Sequence, residues 1–370
     1  MNLSYWEYKS WLTNVDYTVV GSGIVGLNCA LQLKRRFPKA KILILEKGML
    51  PQGASTKNAG FACFGSLSEL LSDLNSHTEE EVVSLVKKRV DGLRLLRSTI
   101  GDSGLDYQAL GGYELFPDEG NLFEKCHSKM PEINRWLKPI FEVDVFSFKT
   151  HDFGFQKVRD RCGFNQFEGQ IDTGKMMEAL LQKVQTLGIK ILNQVDVKTY
   201  SEDQNSVKIE TNAFAFSSAN LLIATNGFAS ALGISNVQPA RNQVLVTKPI
   251  KDLQIKGTFH LEEGYYYFRN IDQRILLGGG RHLDLKGETT TELNSTPLVQ
   301  EALETLLKQT ILPGVEFEIE YRWSGILGVH TQKKPILKQI GPRVFCGVRL
   351  GGMGVAIGSL VGRDLADMID

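Results

Sequence analysis

This sequence predicts an α/β fold in two interleaved parts, one wound around a parallel sheet and the other rich in antiparallel strands. Three observations lead there. Residues 18–46, TVVGSGIVGLNCALQLKRRFPKAKILILE, read as strand, glycine turn, helix and strand, ending on an acid. Apolar strands run into small, glycine-bearing turns twice more, at Asn220–Ala229 (NLLIATNGFA) and at VFCGVRLGGMGV before the last helix. Between these, Gln238–Gly280 is strongly β in pattern, with QVLVT, GYYYFRN and RILLGGG around a turn at Ile271–Asp272–Gln273. Nucleotide-type elements at the start, middle and end imply discontinuous domains. A chain of 370 residues also exceeds what one core usually organises.

The elements follow in order. The first 13 residues carry Tyr5, Trp6, Tyr8 and Trp11 and read as a short helix lying on the body, its aromatics serving packing. Gly21, Gly23 and Gly26 then give G-x-G-x-x-G spacing, with Glu46 20 residues beyond the last. The first glycine allows the tight turn, the second lets backbone approach a pyrophosphate, and the third lets the helix pack on the sheet. The helix start offers free N–H groups to phosphates, and Glu46 can accept from ribose hydroxyls. Apolar Ile24, Leu27 and Leu31, a stop at Phe37–Pro38 and the strand Ile42–Leu45 complete the unit. It is therefore an adenine-dinucleotide site rather than a turn that only closes a βαβ unit.

Gly53–Gly60 (GASTKNAG) combines small residues, backbone donors and hydroxyls suited to a pyrophosphate and a flat ring, or equally to a polar surface loop. Thr78 and Glu81 make a capping box for a long helix whose apolar face is Val82, Val86, Val90 and Leu93, closed by Gly101. Its acids Glu79–Glu81 and bases Lys87–Arg89 read as a solvated face matched to the helix dipole. Residues 105–150 are mixed, with turn signals at Gly111–Gly112 and Pro117–Asp118 and alternation in VDVFSFKTH. Helical spacing returns at Thr173–Leu187, followed by a strand at Ile189–Val197. Residues 296–310 read as a helix ended by Pro313–Gly314, VEFEIEYRW as an alternating strand, and about Gly354–Ile369 as the final helix. The Gly354, Gly358, Gly362 spacing reads as a small-residue face packed on the sheet; Arg363, Asp364 and Asp367 argue against a membrane dimerisation face.

Composition excludes several classes. Lys+Arg and Asp+Glu are both 42, so no charge excess points to nucleic acid or an anionic membrane. No apolar run reaches the roughly 20 residues needed to span a bilayer. The N-terminus lacks a basic region followed by an apolar one, against a secretory signal. Five cysteines without C-x-x-C spacing fit reduced thiols in a cytoplasmic protein. The six histidines form no paired frame, so no metal site is expected.

Taken together, these segments resemble the D-amino-acid oxidase type of FAD-dependent oxidoreductases, which includes glycine oxidase and sarcosine oxidase. The likeness rests on VVGSGIVGLNCA with ILILEKG, on GASTKNAGF, LLIATNGFA, YYYFRN with ILLGGG, RWSGILGVHTQKKPIL and FCGVRLGGMGVAIG, in that order over nearly the whole chain. It implies a Rossmann-like FAD-binding domain of the GR2 type and a discontinuous substrate domain built on a large mixed β-sheet. The expected division is 14–80, 155–230 and 325–370 for the FAD domain, 81–154 and 231–324 for the substrate domain, and 1–13 as an N-terminal extension. The implied activity is oxidation of a C–N bond in a small amine or amino acid by hydride transfer to flavin N5, giving an imine. The implied FAD contacts are Gly21, Gly23, Ile24, Gly26, Glu46, Lys47, Ser55, Thr56, Asn58, Ala59, Gly60, Val195, Thr225, Asn226, Gly227, Gly351, Gly352, Met353, Gly354 and Val355.

On the substrate side the sequence departs from those relatives. Trp323–Gly328 carries no cation where glycine oxidases have a carboxylate-binding Arg, and no Cys stands where sarcosine oxidases bond the flavin, so FAD is expected to be non-covalent. Ala356 occupies the position of the sarcosine oxidase Lys, and the usual Asp is missing from Thr331–Pro335. The pocket candidates are Tyr265, Tyr267 and Arg269, which share strand parity, with Arg281 and His330. The tyrosines read equally as a packed sheet face, the arginines as partners of Asp272 and Asp284, and His330 as a loop hydrogen bond. Oxygen, a quinone or another protein are open as electron acceptor. An NAD-linked dehydrogenase and a flavin-bearing non-catalytic subunit are the alternatives.

Overall fold

The computed structural model describes residues 3–370, so the first two residues of the expected N-terminal extension lie outside it. Two eight-stranded sheets carry the chain. In the first, strands Val344–Val348, Ala215–Ile223, Val15–Val20, Ile42–Leu45 and Lys190–Leu192 run parallel in that order, and Ile336–Gln339 closes one edge antiparallel. A hairpin of Val197–Glu202 and Val207–Thr211 extends from Ala215–Ile223. Buried on both faces, the central strands read as near-continuous apolar runs: every residue of Ile42–Leu45 and of Val344–Val348 is buried.

The second sheet is mixed. Its order is Ile319–Val329, Gln238–Thr247, Arg274–Gly279, Tyr266–Ile271, Thr258–Leu261, Gly112–Glu114, Arg161–Asn165 and Phe146–Thr150. Thr258–Leu261 and Gly112–Glu114 are its parallel pair. Asp272 and Gln273, both at positive φ, form the tight turn between Tyr266–Ile271 and Arg274–Gly279. The strands at 161–165 and 319–329 pair throughout in this sheet. The boundary expected at 155 therefore leaves the first on the nucleotide-binding side of the division, and the one at 325 cuts the second.

Helices Ile24–Arg36, Thr173–Thr186 and Gly354–Asp367 cover one face of the first sheet around Leu27, Leu33, Leu180, Leu222 and Leu365. Their packing is unusually close where glycines meet backbone. A Cβ on Gly26 would lie 1.9 Å from the Gly21 carbonyl oxygen, one on Gly362 2.4 Å from that of Val25, and one on Gly92 2.2 Å from that of Ala356. Gly358 and Gly362 of the last helix therefore pack against helix 24–36, not on the sheet, and Ala356 packs against the long helix.

Four further readings need correction. Arg89 is buried, donating to the Phe64 carbonyl at 2.8 Å, so the basic run of the long helix Glu79–Ile100 is solvated only at Lys87 and Lys88. Helix Leu122–Phe141 was hidden by Pro131 and Pro139, which stand on its exposed side where freed carbonyls meet water. The segment expected as one strand at 189–197 breaks at Asn193–Gln194, with Gln194 at positive φ. Tyr5 and Trp6 are 66% and 70% exposed on the N-terminal helical turns, so they do not pack on the body.

The close approach at Gly92 fixes the sign of a substitution. Alanine in a helix interior is ordinarily favourable by about 1 kcal/mol over glycine. Gly92→Ala must instead push helix 354–367 away, and we expect a loss of about 1–3 kcal/mol, read as a lowered midpoint in denaturant unfolding of the holoprotein.

Candidate functional site

A long cleft opens at the carboxyl ends of the parallel strands, where ligands of open α/β sheets bind. It encloses roughly 1440 Å³ of empty space including its mouth. Gly21, Gly23, Ile24, Glu46, Lys47, Ser55, Asn58, Val195, Thr225, Asn226, Gly351, Gly352, Gly354 and Val355 line it. Gln52, Asp196, Phe228 and Leu327 line it too, and sequence reading missed them. Gly26, Thr56, Gly60 and Gly227 stand behind the wall rather than on it. Gly26 and Gly227 are required by close backbone, with the Leu327 carbonyl oxygen 2.4 Å from a Cβ at Gly227. The Thr56 hydroxyl donates to the Pro51 carbonyl at 2.7 Å, shaping its own loop.

Glu46 is the best-connected side chain here. One carboxylate oxygen accepts from the Ser22 amide (3.0 Å) and hydroxyl (2.6 Å). The other accepts from the amides of Gly48 (2.9 Å) and Gln52 (3.3 Å). The acid at the end of the second strand thus holds the glycine turn and the following loop together. Across the helix start, the Ser55 hydroxyl accepts from the Ile24 amide at 2.9 Å. Asn58 closes the 53–60 loop on itself, donating to the Ser55 carbonyl (2.8 Å) and accepting from the Gly60 amide (2.8 Å). Asn226 accepts from the amides of Arg349 (3.0 Å) and Leu350 (3.1 Å), tying the middle nucleotide-type turn to the late glycine loop.

The chemistry left open suits a polyanionic ligand. The buried Thr225 hydroxyl has no protein partner. Helix 354–367 begins without a side-chain cap, so its first amides remain available to an anion. Cβ atoms at Gly53, Gly351 and Gly352 would meet nothing within 4 Å.

Two further cavities continue from the cleft. An inner one, beneath the second sheet, is lined by Lys57, Ala59, Phe61, Cys63, Glu69, Asn242, His260, Tyr267, Gly325 and Met353, and shares Leu327, Gly352 and Val355 with the cleft. An outer one holds Tyr265, Arg281, His330, Lys333 and Arg349, and shares Glu69, Asn242, Gly264 and Met353 with the inner. Sequence parity therefore separates on folding. Tyr267 lies in the inner cavity with burial pushing its hydroxyl up to about 12. Tyr265 precedes the strand and packs at a tilt against the His282 ring, with centroids 4.6 Å apart. Arg269 lines neither cavity. It is buried beneath Gly60, where burial pushes it down to about 10, and it does not pair with Asp272 as an exposed ion pair. His330 lies in the outer cavity, with a ring nitrogen 3.1 Å from the Thr331 hydroxyl. Arg281 forms no ion pair among the described residues.

Sequence reading also missed a buried polar cluster, because its members come from distant elements. His260 Nε2 lies 2.5 Å from Glu168, whose same oxygen accepts from the Thr258 hydroxyl at 2.9 Å. Burial alone would lower the imidazole; the Glu168 carboxylate outweighs it and raises the group to about 9. Cys63 joins them, all three ligand atoms within 4.8 Å, although burial pushes its thiol up and the short His260–Glu168 contact fills the space between two of them. Neighbouring Glu114 is raised by burial while accepting from the hydroxyls of Ser66 and Ser68.

Comparison with known proteins gives a consistent answer. The family model DAO, described as FAD dependent oxidoreductase, matches residues 16–368. A Haemophilus influenzae protein named "Probable oxidoreductase OrdL" is 21% identical over 97% of this chain and 83% of its own. Among solved structures, L-proline dehydrogenase from P. horikoshii superposes with a TM-score of 0.75 at 19% identity, covering 96% of this chain and 93% of that one. Glycine oxidase from Geobacillus kaustophilus gives 0.75 at 18%, covering 96% and 95%.

The His260–Glu168 pair has a pH signature. A folded-state value near 9 against 6.5 unfolded gives stability that is full below about pH 6.5 and lost as pH rises towards 9. Melting temperatures should fall over that interval in the native protein, and His260→Gln should flatten the fall. An unchanged slope in the variant would reject the pair as its source.

Proposed function

The chain belongs to the DAO family of FAD-dependent oxidoreductases, and from that premise we propose that it oxidises the C–N bond of a small amino acid or amine. FAD is its cofactor. The unpartnered Thr225 hydroxyl, the uncapped start of helix 354–367 and the glycine-lined wall suit that group. Gly21, Gly23, Ile24, Ser55 and Thr225 are then the residues that would hold its pyrophosphate and ribose side, and Gly351–Val355 its flat ring. Bound FAD supplies the hydride acceptor, and the imine left on the substrate hydrolyses in water.

The chain's own residues do the rest. The observation that carries the reading is the continuity of the cleft with an inner, mostly apolar cavity and an outer, polar one. The second sheet roofs the inner cavity with Val244 and Tyr267, and Phe61 of the short strand 61–62 packs against them to exclude water there. The Trp323 indole donates to the Lys57 carbonyl at 2.9 Å, fixing the roof to the 53–60 loop. In the outer cavity, Arg281 offers a guanidinium free to bind a carboxylate bidentately. It lies close enough to Tyr267 to lower that hydroxyl against the larger effect of burial. Arg281 would then supply the cation that Trp323–Gly328 lacks.

The NAD-linked alternative would leave the 53–60 loop and the late glycine loop without a role. Five unpaired, buried thiols support a reducing compartment such as the cytoplasm, and no described helix is long and apolar enough to cross a membrane.

Purified protein should be yellow and should bleach anaerobically with a suitable amino acid; stoichiometric FAD that no amine reduces would return the non-catalytic reading. Arg281→Met should raise KM for amino acids about 10- to 100-fold while leaving amines without a carboxylate unaffected. Glu46→Ala should lose at least about tenfold in FAD affinity, because it frees four donors of the turn and loop at once; fluorescence of released FAD on dilution measures it.

A further inference from the structure

Glu69 is a carboxylate that no sequence motif singled out and that the folded chain holds at the one junction shared by the inner and outer cavities. Its side chain is 16% exposed. One oxygen, Oε2, accepts from the Ser66 amide at 2.8 Å as half of the capping box of helix Leu67–Asp73, and lies 3.9 Å from His260 Nδ1. No protein donor among the described residues reaches the other oxygen. That Oε1 lies against Gly264, where a Cβ would come within 2.6 Å of it and where φ is +81°. Glycine is therefore required at 264 both for the backbone and for the carboxylate. Of the nearby cations, His260 turns Nε2 to Glu168 and keeps Nδ1 on the capped Oε2 side of Glu69, while Arg89 is held by the Phe64 carbonyl and, at 3.9 Å, by Asp73. A mostly buried carboxylate with one open oxygen, aimed at a cavity, is a receptor for a cationic N–H donor.

We propose that Glu69 is the specificity residue that receives the protonated nitrogen of the substrate at the junction of the two cavities. This rests on the amine-oxidising reading above and extends it. The substrate's cationic nitrogen donates to Glu69 Oε1, which can take its proton and leave the neutral amine that hydride loss requires, so that selection runs through the amine even when no carboxylate is present. With Glu69 at the junction and Arg281 in the outer cavity, an amino acid is held by both ends, its nitrogen innermost. A plain amine keeps the inner contact alone. Capping by Ser66 and packing against Gly264 fix the carboxylate beforehand, so little ordering is needed on binding.

The test uses the FAD-loaded protein and three probes of matched size: propylamine, propionate and alanine, each titrated anaerobically against the flavin absorbance. Glu69→Gln is the variant of choice, because glutamine also completes a capping box and leaves the helix start intact. We expect Glu69→Gln to weaken propylamine and alanine about 10- to 100-fold and to leave propionate within twofold. Glu69→Asp, which retracts the charge but keeps it, should recover part of the loss. Equal binding of propylamine by native and Gln proteins overturns the role of Glu69 and leaves the amine-oxidising reading standing. A native protein whose flavin responds to neither amine overturns both. Parallel weakening of propionate would mark a merely structural effect and also overturn the assignment.

Discussion

The buried Glu46 carboxylate is the interaction on which the rest of the structure depends. It sits at the carboxyl end of the second parallel strand and gathers four donors from residues that a flexible glycine turn would otherwise leave unordered. Its backbone continues the same task, accepting from the Val195 amide at 2.9 Å and donating to the Leu192 carbonyl at 2.8 Å. One residue thereby sets the turn, the start of the 53–60 loop and the edge beyond the fourth parallel neighbour. Removing a carboxylate that satisfies several buried donors costs the desolvation of each donor, which exceeds the value of any one bond. The hydrogen bonds seen at Glu46 come from the protein itself, so its service to a bound ribose includes shaping the turn that meets the pyrophosphate.

A second node joins what the first arranges to the roof. Asn226 bridges to the amides of Arg349 and Leu350, and Gly328 allows that bridge, since a Cβ there would lie 2.7 Å from the Asn226 side-chain oxygen. The middle nucleotide-type turn, the late glycine loop and the end of strand 319–329 therefore form one rigid corner. The inner cavity lies between this corner and the second sheet. Backbone contacts fix its edge at Leu327 and Gly352, while Phe61, Tyr267, His260 and Met353 form its other walls, a combination that suits a cavity that must hold reacting atoms in place.

The legibility of the sequence follows from the range of each interaction. The dinucleotide unit was readable because its determinants are local: glycine spacing, apolar periodicity and an acid at fixed distance. The capping box at Thr78 and Glu81 and the hairpin turn at Asp272–Gln273 were readable for the same reason. Helix 122–141 was not, because two prolines are a strong local signal against it and only the burial of Cys126, Ile133 and Leu137 on one side outweighs them. Arg89 reads as a surface base beside Lys87 and Lys88, and nothing within the helix discloses that Phe64 and Asp73 await it. The substrate side was the least legible. Glu69, Asn242 and His260 lie on three separate elements and meet only after the second sheet closes over the first.

That meeting explains why buried charge concentrates here. His260, Glu168, Glu69, Arg89 and Asp73 are all within the layer between the cavities and the helices at 67–100, and their burial contributes little net stability once desolvation is counted. What paired charges do contribute is direction. His260 is drawn towards Glu168, Arg89 towards Phe64 and Asp73, and Lys333 reaches across from the loop over the outer cavity to Asp73 as well. Of these cations only His260 comes within 4 Å of Glu69, and it does so on the capped Oε2. Oε1 of Glu69 and the guanidinium of Arg281 are thus left without a protein partner among the described residues. A ligand carrying both signs pairs with both, and one carrying neither would have to leave both groups desolvated and unpaired, which is how a site built from paired charges rejects the wrong molecule.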